Sequence, residues 1–224
     1  MSPRSIERMT SNGFILGGIF VAGWTLISPC CSFAGAEHGA STQWVIAHTS
    51  HYLAALCMLF GILGLCVQRL TQAGKFETIA LLGFTFSMWI YGGTGAITSR
   101  VWPMIAEHAG FIVEPTGPMF KPIPEPLQVI AVPALAFGVA ALGLAMHKAG
   151  LFPRAGLMVL LLGAAFFMVP TPPLAPLPWF FFPAAGAVTG LGLVWLGFSL
   201  RGGAAPAAFR AESAPRPAGD PVPV

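Results

Sequence analysis

The sequence predicts an all-α protein, a polytopic membrane helix bundle with six transmembrane helices. Of the 224 residues, 55% are hydrophobic and only 8% are charged, whereas a soluble domain carries about 25% charged residues. In addition, six apolar stretches are each about long enough to cross a hydrocarbon core as a helix. This composition excludes an ordinary soluble domain. The basic residues are scattered and form no patch, so no nucleic-acid partner is expected.

The six stretches follow one another along residues 1–201, which we interpret as one transmembrane domain. Their bounds are 13–28, 45–67, 79–97, 127–146, 151–169 and 180–200. Because lipid offers the backbone no hydrogen-bond partner, each stretch is expected to be a helix. Residues 202–224 are rich in Ala and Pro, and they are predicted to form a disordered cytoplasmic tail.

The flanks of the first three stretches support these bounds. The first follows Arg4 and Arg8; such a pattern also suits a signal peptide, but the apolar run is long for that role. The second lies between Trp44 and Arg69, an aromatic and a basic boundary. The third contains no charged residue but several hydroxyl side chains, which we expect to bond to carbonyls of their own helix.

The last three stretches have similar boundaries. The fourth ends just before Lys148, and the fifth carries Arg154 near its start, where the side chain can reach the head groups. The sixth lies between a proline-rich segment and Arg201. A second proline-rich segment, residues 100–126, is predicted to be a loop without helix, since proline lacks the backbone N–H.

The basic residues predict an orientation in a bacterial inner membrane. If the N-terminus is cytoplasmic, only Arg100 and Lys121 of the eleven Lys and Arg residues fall outside. The opposite topology would reverse this bias, so the positive-inside rule predicts that both termini are cytoplasmic. The nine residues on the cytoplasmic side are Arg4, Arg8, Arg69, Lys75, Lys148, Arg154, Arg201, Arg210 and Arg216.

Small residues four positions apart predict where helices approach one another. Such pairs allow close contact between helix backbones within a membrane. They favour a compact bundle or an oligomer face, and they do not distinguish the two. The candidate helix-packing residues are Gly18 and Ala22, Gly92 and Ala96, and Gly186 and Gly190.

Four of the five histidines lie on the predicted outer side. His48 and His51 are three residues apart near the outer end of the second span, so they share one helix face. Because imidazole is the commonest metal ligand, these two with His108 and His38 form a candidate metal site. The plainer interpretation is that they are interfacial side chains bonded to water or to a facing helix. A haem between two spans is not expected, because His147 lies at the opposite face, but a haem shared with another subunit remains open.

Four segments connect this chain to a known group. They are Ala47-His48-x-x-His51, Leu63-Gly64-Leu65, the run AGLFPRAGL at 149–157 and the run GLGLVWLG at 190–197. In these segments the chain resembles a loose group of small bacterial integral membrane proteins with six helices. The resemblance implies the same membrane fold, and it implies no chemistry, because the function of that group is uncharacterised.

The sequence contains no catalytic motif, such as a phosphate-binding glycine loop or a nucleophile elbow. We therefore expect no enzyme and no assigned cofactor. We expect a structural or accessory subunit that packs in the lipid bilayer against a larger membrane complex or against itself. Two alternatives remain open: metal or haem binding at the periplasmic face, and a permease for a small neutral solute. No charged side chain is expected at mid-span, which disfavours an ion-coupled transporter.

Overall fold

The computed structural model describes residues 2–28, 40–112, 126–168 and 181–201. Within these ranges the chain forms six α-helices and one short 3-10 helix, and it contains no β-strand. The all-α fold class is therefore confirmed. The helices are α1 (Pro3–Ile27), α2 (Thr42–Arg69), α3 (Lys75–His108), α4 (Pro126–Lys148), α5 (Arg154–Met168) and α6 (Phe181–Arg201), and the 3-10 helix is Gly110–Ile112.

Five of the six described helices are long and apolar enough to span a membrane; α5 is the exception. It has 15 described residues, or about 22 Å of helix against a hydrocarbon core of about 30 Å. α5 begins at Arg154, three residues after residue 151, where the predicted span begins. Before it, Gly150 adopts a φ of 74° and closes α4 in a left-handed turn. In that turn the N–H of Leu151 donates to the carbonyl of Met146. Val169, the predicted end, lies outside the described residues.

α1 extends well beyond its predicted span. It begins at Pro3, ten residues before the apolar stretch. The hydroxyl of Ser2 accepts a hydrogen bond from the backbone N–H of Ser5, which satisfies one of the free donors of the first turn. Proline at the first helical position has the φ that a helix needs and lacks only an N–H that would be unpaired there. Local capping therefore explains a helix start outside the apolar run.

α3 also extends beyond its predicted span, and this corrects one expectation. The helix continues through Pro103 to His108, so residues 100–108 are helical rather than part of a loop. Trp102 and Ala106 pack in a buried cluster with Trp44 of α2. This contact between two helices stabilises the turns beyond the proline, which local propensity alone would not do. Gly110–Ile112 of the predicted loop is the short 3-10 helix, and Pro126 begins α4. Residues 113–125 lie outside the described residues.

The six helices close into a ring. Each helix packs against the next along the chain, and α6 packs against α1. Neighbours are antiparallel: Ser11 near the start of α1 lies against Gly197 near the end of α6. Large buried side chains fill the interior, among them Trp24, Tyr91 and Phe84. The perimeter carries exposed apolar side chains on every helix, as contact with a lipid bilayer requires: Leu16, Phe60, Leu82, Phe137, Met158 and Leu191.

The contact between α1 and α6, which we call the glycine seam, contains four of the six predicted helix-packing residues. A Cβ atom on Gly18 would lie 2.5 Å from the carbonyl oxygen of Gly190, and a Cβ on Gly190 would lie 2.5 Å from that of Gly18. Ala22 contacts Gly190, and Gly186 contacts Thr25. The two backbones are therefore too close for any side chain at either glycine.

The third predicted pair lies on α3. A Cβ on Gly92 would lie 2.9 Å from the Cβ of Ala55 on α2. Ala96 is half-buried on the same helix. Small residues thus bring α3 close to α2, at the level where the candidate histidines lie.

The two ends of the ring differ in composition. The arginine end carries seven of the eight described Lys and Arg residues: Arg4, Arg8, Arg69, Lys75, Lys148, Arg154 and Arg201. There a salt bridge of 3.0 Å between Arg69 and Glu77 joins the end of α2 to the start of α3. The tryptophan end carries Trp44 and Trp102, whose stacked rings have centroids 6.0 Å apart, and the eighth basic residue, Arg100.

Candidate functional site

Polar and aromatic side chains meet inside the ring, towards the tryptophan end. We call Trp24, His48, His51, Tyr91 and Thr98 the histidine cluster. His48 and His51 are only 1% and 3% exposed, although the plainer sequence interpretation made them interfacial. They lie about 9 and 14 Å along α2 from its first residue. Both side chains lie on the face of α2 that packs into the ring, and the contact of His48 with Thr98 of α3 is the bond to a facing helix that the plainer interpretation allowed.

The imidazole of His51 is held between two neighbouring helices, α1 and α3. A Cβ on Gly95 of α3 would lie 2.9 Å from the backbone nitrogen of Tyr52 and 3.1 Å from the Cγ and Cδ2 atoms of His51, so glycine lets α3 approach the ring closely. The centroid of Tyr91 lies 3.9 Å from that of His51, and the centroid of Trp24 lies 4.3 Å away. Since aromatic contacts limit its movement on two sides, the ring of His51 has little freedom.

Trp24 connects the cluster to most of the bundle. It is a residue of α1, and its side chain is 1% exposed. Its ring lies between 4.3 and 6.5 Å, centroid to centroid, from rings of α2, α3, α5 and α6: His48, His51, Tyr91, Phe167 and Phe182. The position of Trp24 therefore depends on five of the six described helices.

Among the described residues, the side chain of His48 has one hydrogen-bond contact, with α3. Its Nδ1 lies 3.0 Å from the hydroxyl oxygen of Thr98, and that hydroxyl lies 2.8 Å from the carbonyl of Thr94. In the tautomer in which Thr98 donates to Thr94, Nδ1 donates to the hydroxyl oxygen and Nε2 carries the lone pair. The carbonyl of Thr98 accepts from Nε1 of Trp44 at 2.9 Å, which secures this arrangement from the tryptophan end.

Other polar atoms of the cluster have no hydrogen-bond partner among the described residues. The carbonyl of Tyr91 lies near His51, but without the geometry of a hydrogen bond. Buried polar groups in proteins are bonded in about nine cases of ten, and an unbonded one costs about 1–3 kcal/mol. The unpartnered atoms are Trp24 Nε1, His48 Nε2, His51 Nδ1 and Nε2, Tyr91 Oη and, on α6, Thr189 Oγ1.

The Ser and Thr hydroxyls near the middle of α3 behave as the sequence predicted, whereas the hydroxyl of Tyr91 does not. Each of five donates to a carbonyl within its own helix, three or four residues earlier. These donors are Thr85, Ser87, Thr94, Thr98 and Ser99. The unpartnered atoms are therefore concentrated on the rings of α1, α2 and α3.

The remaining candidate ligands lie elsewhere. His108 is the last residue of α3; it is exposed, and its Nδ1 lies 3.1 Å from the carbonyl of Met104 in the same helix. His38 lies outside the described residues. His147 is at the arginine end, where its Nδ1 is 2.9 Å from the carbonyl of Phe152. Across the described ranges, no three His, Cys, Asp or Glu side chains group as metal ligands do.

Sequence reasoning identified His48 and His51 but did not predict which side chains contact them. Tyr91 and Thr98 belonged to a general set of mid-span hydroxyls, with nothing to connect them to the histidines. Trp24 carried no signal, because an aromatic residue in an apolar helix is equally suited to lipid and to a protein interior. These partners are 24 to 50 residues away from the histidines along the chain, so only the fold unites them.

Comparison with protein-family models, with curated proteins and with solved structures finds no match for this chain. No residue role therefore comes from a relative.

Proposed function

We propose that this multi-pass membrane protein binds a first-row transition-metal ion inside its ring of helices, through His48 and His51. The observation that carries the proposal is that three ring nitrogens of these two buried side chains have no partner among the described residues. Ionisable side chains within a membrane bundle are costly to bury and usually mark a functional site. Imidazole nitrogens suit zinc, copper, iron and nickel.

The spacing of the two rings suits a shared ion. Their centroids are 6.0 Å apart. Two imidazoles that bind one ion at about 2.0–2.1 Å have ring centroids roughly 5–6 Å apart, depending on the angle at the metal. The observed separation of the two rings is therefore within the range for two imidazoles on one ion.

The surroundings of His48 also resemble those of a metal ligand. A ligating histidine usually donates its second ring N–H to an oxygen, which orients the ring, and Nδ1 of His48 lies 3.0 Å from such an oxygen, the hydroxyl of Thr98. The buried hydroxyl of Tyr91 is the candidate third ligand, since its ring contacts His51. The indole N–H of Trp24 is free to donate to a water molecule on the ion.

A single ion fits these observations better than a haem does. The rings around His51 are packed at centroid distances of 3.9 and 4.3 Å, which leaves no room for a macrocycle. A haem shared between subunits would need an imidazole on the outer surface of the ring. Both cluster histidines point inwards instead.

Metal analysis of the purified protein tests the proposal. We expect about one transition-metal ion per chain, and we expect added Co²⁺ to give the absorption bands of a nitrogen- and oxygen-bound ion. The double variant His48→Ala/His51→Ala should lose both signals. His108→Ala, which removes an exposed imidazole outside the cluster, is the matched control and should retain them. Absence of any metal from the wild type, together with no response to Co²⁺, would rule the proposal out.

The same proposal includes an orientation. We place the arginine end in the cytoplasm of a bacterial cell and the histidine cluster towards the periplasmic side, because seven described basic residues lie at one end and Arg100 alone lies near the other. A green fluorescent protein fused after residue 224 should fluoresce, whereas an alkaline phosphatase fused there should be inactive. The reverse pattern would contradict this orientation.

An accessory role in a membrane complex is a second candidate, and one surface favours it. Phe86 and Trp89 stack on the outer face of α3 with centroids 6.4 Å apart, and Trp89 is 71% exposed. Tryptophan at a lipid surface usually lies near the head groups, but Trp89 lies near the middle of α3. Cross-linking in native membranes from a position beside Trp89 should then capture a defined partner; labelling by lipid alone would contradict this role.

A further inference from the structure

We infer that the arginine end contains a binding site for the head group of an anionic phospholipid, between the start of α1 and the end of α6. A groove of about 510 Å³ opens there, which is within the range of ligand clefts, roughly 300–1,000 Å³. All five lining residues carry polar side chains, and three of them are basic: Arg4, Glu7, Arg8, Asn12 and Arg201.

The three guanidinium groups are available to a ligand. Within the described chain, neither Arg4, Arg8 nor Arg201 forms a salt bridge, and the described ion pair is the one between Arg69 and Glu77. All three side chains are exposed. A guanidinium donates two parallel N–H groups to a phosphate, and this geometry makes arginine the preferred partner of phosphate.

The charge of the groove favours an anionic head group over a zwitterionic one. Three guanidinium groups and the carboxylate of Glu7 leave a net formal charge of +2. A zwitterionic lipid would bring its own ammonium group close to the three arginines. An anionic phosphodiester avoids this repulsion.

The helix faces below the groove are suited to acyl chains. On α1, Arg4, Arg8 and Asn12 are followed on the same face by Leu16 and Ile19, which are 46% and 53% exposed. These positions are three or four residues apart and therefore form one stripe along the helix. The stripe changes from polar to apolar within one turn after Asn12, as a helix does where it enters a bilayer.

α6 carries the matching stripe. Arg201 is followed towards the start of the helix by Phe198, Trp195 and Leu191, all exposed and again spaced by three or four residues. The glycine seam holds the two helices together, so the two stripes descend side by side from one groove. A phosphate in the groove would place its acyl chains along these stripes, and this combination selects a lipid rather than a soluble phosphate.

Native mass spectrometry of the detergent-purified protein tests the site, with added phosphatidylglycerol and phosphatidylcholine of equal chain length. We expect preferential retention of phosphatidylglycerol. Each basic residue near a membrane surface changes binding about fivefold, so Arg8→Gln/Arg201→Gln should reduce retention by roughly 25-fold. Arg154→Gln, which removes a charge at the same end outside the groove, is the matched control and should change nothing.

Two further measurements distinguish a lipid phosphate from a soluble phosphate and show why a variant loses lipid retention. Phe198→Ala keeps every charge but shortens the apolar stripe, so it should weaken lipid retention and leave binding of inorganic phosphate unaltered. Equal retention of both lipids by the wild type, or equal losses in the groove variant and in Arg154→Gln, would overturn the inference. Displacement of phosphatidylglycerol by inorganic phosphate at equal concentration would also overturn it and would indicate a site for a soluble anion.

Discussion

The glycine seam and the histidine cluster are both buried and both depend on close helix contact. They differ in hydrogen bonding, because hydroxyls in and beside the seam are bonded whereas several ring nitrogens of the cluster are not. In and beside the seam, the hydroxyl of Ser11 donates to the carbonyl of Gly197 at 2.8 Å, and that of Thr25 donates within its own helix. In the cluster, the rings of Trp24, His48 and His51 keep unpartnered nitrogens. The seam therefore stabilises the ring of helices. The unpartnered atoms of the cluster lower the free energy of unfolding, and we expect the protein to keep them because they bind a ligand.

The largest effect is expected in the seam. Gly18→Leu would force a side chain against the carbonyl of Gly190, which a Cβ alone would approach to 2.5 Å. Overpacking of this kind costs about 3 kcal/mol, measured as the free energy of unfolding in a denaturing-detergent titration. Gly23→Ala is the control on the same helix, because a Cβ there would meet no atom of the described chain within 4 Å. Similar losses in both variants would show that the seam is not specially close-packed.

The next effect is expected at the support of the cluster. Thr98→Val removes the hydrogen-bond partner of Nδ1 of His48 and leaves a buried ring nitrogen unbonded, which costs about 2 kcal/mol. It should also weaken metal binding about 10- to 100-fold, because it removes the partner that orients the ligand. Thr94→Val is the control, since that hydroxyl donates only to the carbonyl of Tyr91 in its own helix. Equal metal affinity in both variants would contradict the role of Thr98.

A smaller effect is expected for the hydrogen bond between α1 and α6. Ser11→Ala removes the hydroxyl that donates to Gly197, and a neutral hydrogen bond contributes about 1 kcal/mol. Ser87→Ala on α3 removes a bond within one helix and should cost less. If Ser87→Ala costs as much as Ser11→Ala, the bond between helices has no special part in closing the ring.

The smallest effect on stability should come from the residue at the centre of the cluster. His51→Phe keeps a flat ring between Tyr91 and Trp24 but removes two unpartnered nitrogens. Replacing an unsatisfied polar group by an apolar one of similar shape is close to neutral, so the metal-free variant should unfold within about 1 kcal/mol of the wild type. Metal binding should nevertheless be lost. A loss of stability above about 2 kcal/mol in thermal unfolding of the metal-free proteins would show that His51 has a structural role instead.

The glycine pairs show what the sequence could predict about helix contacts and what it could not. The spacing of Gly18 and Ala22, and of Gly186 and Gly190, indicated helix contact, but it did not indicate which helices meet. The same holds for His48 and His51, whose spacing placed them on one face without saying where that face points. Each pattern is local, whereas its partner lies on another helix and depends on how the ring closes.

Proline and glycine show the limits of local rules. The left-handed Gly150 ends α4 as its residue type suggests. Pro103, in contrast, lies within α3 because Trp102 and Ala106 are buried against Trp44. A contact across helices outweighs a local preference wherever it removes enough apolar surface from its surroundings.

By itself, the sequence determined that this chain is a bundle of apolar helices, how many there are, and that its basic residues gather at one end. Length, hydropathy and charge are properties of single segments, and the bilayer imposes helix on each of them. Only the tertiary structure decided that His48 and His51 face inwards to Trp24 and Tyr91, and that Arg8 and Arg201 share a groove. In water, a polar face would have revealed the direction of each helix; in lipid, the outer surface is as apolar as the core, and the pattern loses that information.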